Sequence, residues 1–387
     1  MAVFGLGKAG LPLSAIIADN GINVIGVDID KKRCELINKG INPILEEPDL
    51  KELVKKYGGK RLLATSNFND AKNCELFIVI VPLFLDKNNN PDFKVLKDVF
   101  QNISRILKKG DIVVLETSVP PTTTENIVRN WLEEGSTLKL GDFYLANSPE
   151  RIMTGFSISR LREFPKIIGG VDEESGKKAF NHYKLFIPNI KLVSSARVAE
   201  FIKIIEGSYR DTNIALANEL FKISDELNIN FFEARELANH EFCNIHLPST
   251  GTGGHCIPVY PWFLLKEMEK HNKKKYTKLL RTSREINEEM IEFWAEKIIE
   301  EIQKINTQKS KVKVCIKGIT YRKGVKELYH SRNLALVKLL IEKGVNTGVY
   351  DELLTKNEIN KLGLTYIQLK DADIIFDTFN LHLSTNK

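Results

Sequence analysis

The chain opens on a constraint that few folds satisfy. Gly5-Leu6-Gly7-Lys8-Ala9-Gly10 follows a short apolar run, Val3-Phe4, and leads into a stretch with helical character from about Ala9. The first glycine permits a tight turn, the second lets a pyrophosphate approach the backbone, and the third allows close packing of helix on sheet. The helix N-terminus then offers N–H groups and a partial positive charge to a phosphate. A second apolar run over 24–27 ends at Asp28, placed to accept both ribose hydroxyls of NAD and to repel the 2′-phosphate of NADP. A glycine-rich turn that binds nothing would explain the glycines alone. Strand, helix and acidic residue together point to a dinucleotide fold.

Further near-continuously apolar runs at 76–81, 112–115 and 143–146 alternate with helical stretches, the pattern of a parallel sheet covered on both faces. From 195 to about 227 the strand signal stops, and Phe201, Ile204, Ile205, Ile214, Leu216, Leu220 and Ile223 recur at helical spacing. A helix this long bridges domains or forms a dimer seam. A second long helix, rich in Glu and Lys, is expected over about 277–305. Alternation then resumes, with apolar runs at 312–316, 346–350 and 373–376 and a helix over 333–342. The expected fold class is α/β: an N-terminal Rossmann domain over 1–190, a long central helical connector over 191–305, and a smaller C-terminal Rossmann-like α/β domain over 306–387. At 387 residues the chain exceeds one ordinary core, which fits that division.

Composition narrows the partners. With 43% hydrophobic and 27% charged residues the chain reads as soluble and globular. No apolar run reaches the about 18 residues that span a bilayer. The N-terminus enters a strand without the basic stretch and apolar segment of a secretory signal, so no membrane partner and a cytoplasmic location are expected. The net charge of +6 suits an anionic small molecule such as a nucleotide, and the basic residues form no long block of the kind nucleic acid requires. Cys34, Cys74, Cys243, Cys256 and Cys315 are odd in number and scattered, which fits reduced thiols and not a disulfide framework.

The segment richest in chemistry is Pro248-Ser249-Thr250-Gly251-Thr252-Gly253-Gly254-His255-Cys256-Ile257-Pro258. Its glycines let the backbone approach a ligand and can direct N–H groups at an anion. Cys256, followed by a helix-starting Pro258, is placed to act as a nucleophile. Taken alone, the same residues describe equally well an inert buried cysteine beside a turn. With its continuation, Val259-Tyr260-Pro261-Trp262-Phe263-Leu264, the segment resembles the catalytic loop of UDP-N-acetylhexosamine dehydrogenases, and most of all their N-acetylmannosamine branch, within the UDP-glucose/GDP-mannose dehydrogenase family. Ser148-Pro149-Glu150-Arg151, the run from Arg210 to Glu219, Gly318-Ile319-Thr320-Tyr321 and Val349-Tyr350-Asp351 occur in the family's order, so the resemblance covers nearly the whole chain.

That resemblance implies NAD as cofactor, a UDP-N-acetylhexosamine as substrate, and a homodimer formed through the long helix. It implies a four-electron oxidation at C6, with Cys256 adding to the first-formed aldehyde and a thioester released by water. Lys203, by itself an ordinary solvated lysine, matches the family's lysine on the central helix and would assist proton transfer or steady an alkoxide. The implied cofactor residues are Gly5, Gly7, Gly10, Asp28 and Arg33, with Ser118 standing where the family places a threonine near the nicotinamide. The implied substrate residues are Arg151, Ile152, Lys203, Arg210, His240, Gly251 and Arg322. For Arg151 and Arg210 a structural ion pair is the competing reading. Lys203, Gly207 and Arg210 fall at i, i+4 and i+7, on one helix face. The active site is expected in the cleft between the end domains, with Cys256 and Lys203 facing Ser118.

Several positions depart from the family pattern. Gly207 stands where an asparagine is expected four residues after the lysine, and a glycine inside a helix costs roughly 1 kcal/mol relative to alanine. Tyr260 stands where an aspartate is expected four residues after the cysteine. Leu83, Phe242 and Tyr329 replace a threonine and two arginines, and Arg322 replaces a lysine, which keeps charge and changes geometry. The first strand is short, and the last α/β stretch is shorter than the family's. These departures leave open a paralogue that binds NAD or a nucleotide sugar and turns over slowly or not at all. A β-hydroxyacid dehydrogenase would share the Rossmann start and the helical lysine but needs no thiol. No metal is expected: His240, Cys243, His246, His255 and Cys256 cluster in sequence without the paired spacing of zinc ligands.

Overall fold

Alternation of apolar runs and helices becomes a wide sheet in the first half of the chain. The structure, a computed structural model, describes residues 1–44, 46–152, 155–305 and 308–386. Its strands run, in chain order, β1 (Ala2–Phe4), β2 (Val24–Val27), β3 (Leu62–Thr65), β4 (Leu76–Val79), a hairpin of β5 (Phe84–Leu85) and β6 (Pro91–Asp92), then β7 (Ile112–Leu115), β8 (Tyr144–Asn147), β9 (Lys166–Gly170) and β10 (Ile190–Val193). All but the hairpin join one sheet in the order β10-β9-β8-β7-β4-β1-β2-β3. The chain winds one way from β1 to β3 and the other way from β4 onward, so the order reverses between β1 and β4. Ligands of open α/β sheets bind at that reversal, beyond the carboxyl ends of the strands.

The sheet is buried on both sides. Val3, Ile78, Val114 and Ala146 face one core, and Ala2, Phe4, Phe77, Val79, Val113 and Leu115 face the other. This period of two explains why the strands read as continuously apolar. The helix Gly10–Asp19 is buried almost throughout, and its one buried hydroxyl, Ser14 Oγ, donates to the Gly10 carbonyl at 2.7 Å. The expectation of a parallel sheet needs correction at one edge. β9 pairs antiparallel with β8, and β10 pairs parallel with β9. The chain therefore re-enters the sheet at β9 in the opposite sense to β8.

The chain divides into two compact units, Met1–Ile205 and Glu206–Lys387, with the boundary inside the long helix Ala196–Glu226. The second unit carries β11 (Lys313–Lys317), β12 (Asn346–Tyr350), β13 (Ile374–Asp377) and β14 (His382–Thr385), ordered β12-β11-β13-β14 with β14 antiparallel to β13. The helix Lys278–Ile305 buries Met290, Trp294, Ala295, Ile298 and Ile302 against this sheet, with the Trp294 ring 4.6 Å from Phe376. Those positions follow the spacing of a single helix stripe. The helix after the cysteine loop is Tyr260–Lys270, with Pro261 in its first turn; Pro258, expected to start it, lies in the preceding turn. Among the described residues no helix is long and apolar enough to cross a membrane.

Candidate active site

The glycine turn sits at the carboxyl end of β1, on the reversal edge of the sheet. Gly5 has φ +96°, and a Cβ there would stand 2.6 Å from the Ile80 carbonyl oxygen; one on Gly10 would stand 1.8 Å from the Gly5 carbonyl oxygen. The protein's own backbone therefore fixes both glycines. Gly7 differs, since a Cβ on it would meet nothing within 4 Å. Its bare side, ahead of a helix N-terminus, is a cradle that a side chain would fill and a pyrophosphate fits.

Asp28 and Arg33 complete this corner. Asp28 Oδ2 accepts the Leu6 N–H at 2.7 Å, which braces the glycine turn, and Oδ1 accepts the Asp30 N–H at 2.9 Å. Arg33 Nη1 reaches the same carboxylate at 3.0 Å. The two residues expected to meet the cofactor are thus brought together, with Arg33 on the helix Lys31–Asn38.

Ser118 and Arg151 lie beyond β7 and β8, on the same edge. Ser118 is half-buried, and its neighbour Thr117 donates its hydroxyl to the Val81 carbonyl at 2.6 Å. Arg151 Nη1 donates to the Pro165 carbonyl at 3.2 Å, and Ile152 packs against the first core. Next to Arg151 in the chain, Glu150 takes part in the site's electrostatics as well. Burial pushes the Glu150 carboxyl above its usual range, and Lys203, then Lys166, pull it back down. Lys203 therefore acts on Glu150 electrostatically, an interaction that the Ser148–Arg151 motif does not reveal. Lys166 itself holds the buried Glu116 at 2.6 Å, which also accepts the Tyr183 hydroxyl at 2.6 Å.

The helix that carries Lys203 is tied to the Ser118 loop by Glu200. This buried carboxylate accepts the N–H groups of Thr122 (2.6 Å) and Thr124 (2.7 Å) and the Thr124 hydroxyl (2.6 Å). Thr122 has φ +78°, uncommon for a β-branched residue, so the clamp holds a strained turn. Burial raises the Glu200 carboxyl to about 7 against these donors.

In the second unit, buried hydrogen bonds pin the cysteine loop. Asp211 Oδ1 accepts Arg284 Nη1 at 2.7 Å, the Thr252 hydroxyl at 2.8 Å and Asn287 Nδ2 at 2.9 Å. Asn218 donates to Asn287 Oδ1 at 2.9 Å and accepts the Ser249 N–H at 2.7 Å, while the Thr250 hydroxyl meets Asn333 Oδ1 at 2.5 Å. The loop glycines were expected to open the backbone to a ligand. Gly251, at φ +105°, instead lies against protein: a Cβ there would stand 2.3 Å from the Asn287 carbonyl oxygen, and its N–H donates to Ser249 Oγ at 3.2 Å. Its glycine is required by packing and backbone conformation.

Cys256 is exposed at the end of this loop. Beside it the His255 ring stacks on Tyr329 at 4.0 Å and 3°, with Nε2 2.5 Å from Glu327 Oε1. Arg322 is half-buried, its guanidinium 6.0 Å from the Tyr321 ring. Arg210 and His240 are exposed; His240 Nδ1 accepts the Phe242 N–H at 3.2 Å. His246 is lowered first by burial and then by Arg210 and Arg235. Among the described residues no three His, Cys, Asp or Glu side chains are grouped to hold a metal ion.

Comparison with known proteins adds the following. Residues 1–187 match the NAD binding domain of the UDP-glucose/GDP-mannose dehydrogenase family, and residues 197–289 match that family's central domain. The chain is 36% identical to the UDP-N-acetyl-D-mannosamine dehydrogenase of Methanocaldococcus jannaschii, over 97% of this chain and 84% of that protein. It is 32% identical to the NDP-N-acetyl-D-galactosaminuronic acid dehydrogenase of Ralstonia nicotianae, over 90% of this chain and 81% of that protein. The solved structure of the Pyrococcus horikoshii UDP-D-ManNAc dehydrogenase superposes with a TM-score of 0.89 at 32% identity, covering 98% of this chain and 89% of that one.

Proposed function

The chain belongs to the UDP-glucose/GDP-mannose dehydrogenase family, and from that premise we propose that it oxidises C6 of UDP-N-acetyl-D-mannosamine from alcohol to carboxylate, using Cys256 as nucleophile. NAD, which Gly7, Asp28 and Arg33 would hold, would supply the hydride acceptor for each of two successive oxidations. The residues of the chain do the rest. Lys203, paired electrostatically with Glu150, receives the C6 hydroxyl proton or steadies the alkoxide as the aldehyde forms. The Cys256 sulfur adds to the aldehyde carbon, and the resulting thiohemiacetal loses a second hydride and a proton to give a thioester. Water then cleaves the C–S bond, releasing the carboxylate and returning the thiolate. The sum is one alcohol, two NAD⁺ and one water converted to one carboxylate, two NADH and three protons.

The observation that carries this reading is the exposed thiol of Cys256 on a loop pinned by buried hydrogen bonds. A held, accessible thiol is what a covalent intermediate needs, and a thiol kept for packing would be buried. The open side of Gly7, with Asp28 and Arg33 beside it, supports NAD binding in the first unit. Arg151, Arg210 and Arg322 are proposed to meet the sugar and phosphates, in a homodimeric, cytoplasmic enzyme.

The test is NADH formation with UDP-N-acetylmannosamine and with its glucosamine and galactosamine epimers, wild type against Cys256→Ser. Two NADH per sugar, lost in the variant, are expected with the mannosamine compound. Activity that survives the serine would remove the thioester route and favour a simple alcohol dehydrogenase. Preference for the galactosamine epimer would move the substrate toward that of the Ralstonia relative. Silence with all three, despite measurable binding of NAD or a UDP-sugar, would leave a protein that binds without turning over.

A further inference from the structure

Gly207 and Tyr260 look, along the sequence, like two separate losses of polar groups. In the second unit they touch. A Cβ built on Gly207 would stand 2.2 Å from Tyr260 Cδ2 and 3.1 Å from its Cγ and Cε2, so no residue but glycine fits while the ring is in place. Gly207 lies inside the helix Ala196–Glu226 and does not have a left-handed backbone, so conformation does not ask for glycine there. Helix propensity disfavours it. The packing of the Tyr260 ring supplies the missing reason.

Tyr260 is in turn coupled to the cysteine. The Cys256 carbonyl accepts the N–H of Val259 at 3.1 Å and the N–H of Tyr260 at 3.0 Å, closing one tight turn between thiol and ring. The ring is buried, at 6% exposure, and Phe263 packs near it at 6.0 Å. Ring and thiol are thus joined by a single hydrogen-bonded turn of backbone.

We propose that Tyr260 is a positioning residue: its ring, seated on the bare backbone of Gly207, sets the turn that holds Cys256, and the two substitutions are one coupled change. Catalytic relevance rests on the role of Cys256 proposed above, but the contact itself does not. Two readouts keep the two ideas apart. Backbone hydrogen exchange of the segment 251–262 in the full-length protein reports the turn. The kcat and KM of NADH formation report its use.

Tyr260→Ala should speed exchange in that segment at least tenfold, while Tyr260→Phe keeps the wild-type rate. Gly207→Ala should displace the ring and speed exchange as well, and Gly207→Ala/Tyr260→Ala should be no worse than Tyr260→Ala alone, because the alanine at 207 then has room. In the active enzyme kcat should fall tenfold or more in Tyr260→Ala with the KM for NAD unchanged. If Gly207→Ala does not fold, the comparison of Tyr260→Phe with Tyr260→Ala decides alone. Equal exchange in Tyr260→Ala and wild type, or effects at 207 and 260 that simply add, would overturn the proposal. An inactive wild type leaves the exchange comparison intact and counts against the proposed reaction instead.

Discussion

Asp211 should matter more to the second unit's stability than any exposed charge, because it gathers three donors where water does not reach. Burial pushes its carboxyl up, and Arg284 and the Thr252 hydroxyl draw it down. Asp211→Ala would leave buried Arg284 with only the half-exposed Glu288 and the Thr252 hydroxyl, so the loss should approach, without exceeding, the about 3–5 kcal/mol of a fully broken buried pair. By contrast Asp225→Ala, which breaks the half-exposed pair with Lys297, should change stability by no more than about 1 kcal/mol. Urea unfolding of both variants checks the contrast, and equal midpoints would refute it. The chain's sequence displays Asp211 inside a run of family-like residues and gives no hint of its task. Its partners Arg284 and Asn287 lie 73 and 76 positions away, and only the fold brings them together. Cys256 and the glycine turn were legible for the opposite reason. Each is a local arrangement whose chemistry is carried by neighbours in sequence. Glu150 also stands within such a motif, but the burial that makes its carboxyl unusual is not written locally.

At the scale of elements, Glu200 joins a helix to a loop, and it does so at a cost that depends on pH. The folded carboxyl is raised from 4.5 to about 7, so the folded state holds this proton where the unfolded chain has released it. Its contribution to stability is therefore greatest below about 4.5 and declines as pH rises toward 7, with Glu125 nearby adding to the rise. Glu200→Gln cannot titrate. The difference in stability between wild type and Glu200→Gln should fall across that window by up to about 1.4 kcal/mol per pH unit and then level off. A difference that stays flat from pH 4.5 to 7.5 in parallel thermal melts would show that the carboxyl is not raised. Elements were legible where their apolar run was long or flanked by glycines, as in β1, β2, β4 and β7. β3 and β10 escaped because their apolar runs are short, three residues over 62–64 and broken by Lys191 in Ile190–Val193. The reversal at β9 escaped because direction is set by which edge the connection reaches, and no residue of Lys166–Gly170 encodes that.

At the scale of the whole molecule, the long helix carries more apolar surface than its own chain covers. Ile204 is fully buried, but Phe201, Ile205, Leu216 and Ile223 on the same helix are 41–50% exposed, and Leu237 on the next helix is 80% exposed. Periodicity placed these residues on a helix and left open which of them face protein. Soluble monomers seldom leave contiguous apolar patches above a few hundred Å² uncovered. A second copy of the chain is the simplest cover, because two-fold packing of identical helices lets each residue face its own equivalent region. A stable interface of this kind needs about 800 Å² from each partner. Light scattering should then give twice the mass of one chain. Leu216→Glu combined with Ile223→Glu should return the mass of a single chain, since burying four carboxylates at such a seam costs more than the apolar contact returns. A wild type that runs as a single chain at micromolar concentration would refute the seam, and a variant that stays dimeric would place the interface on another face.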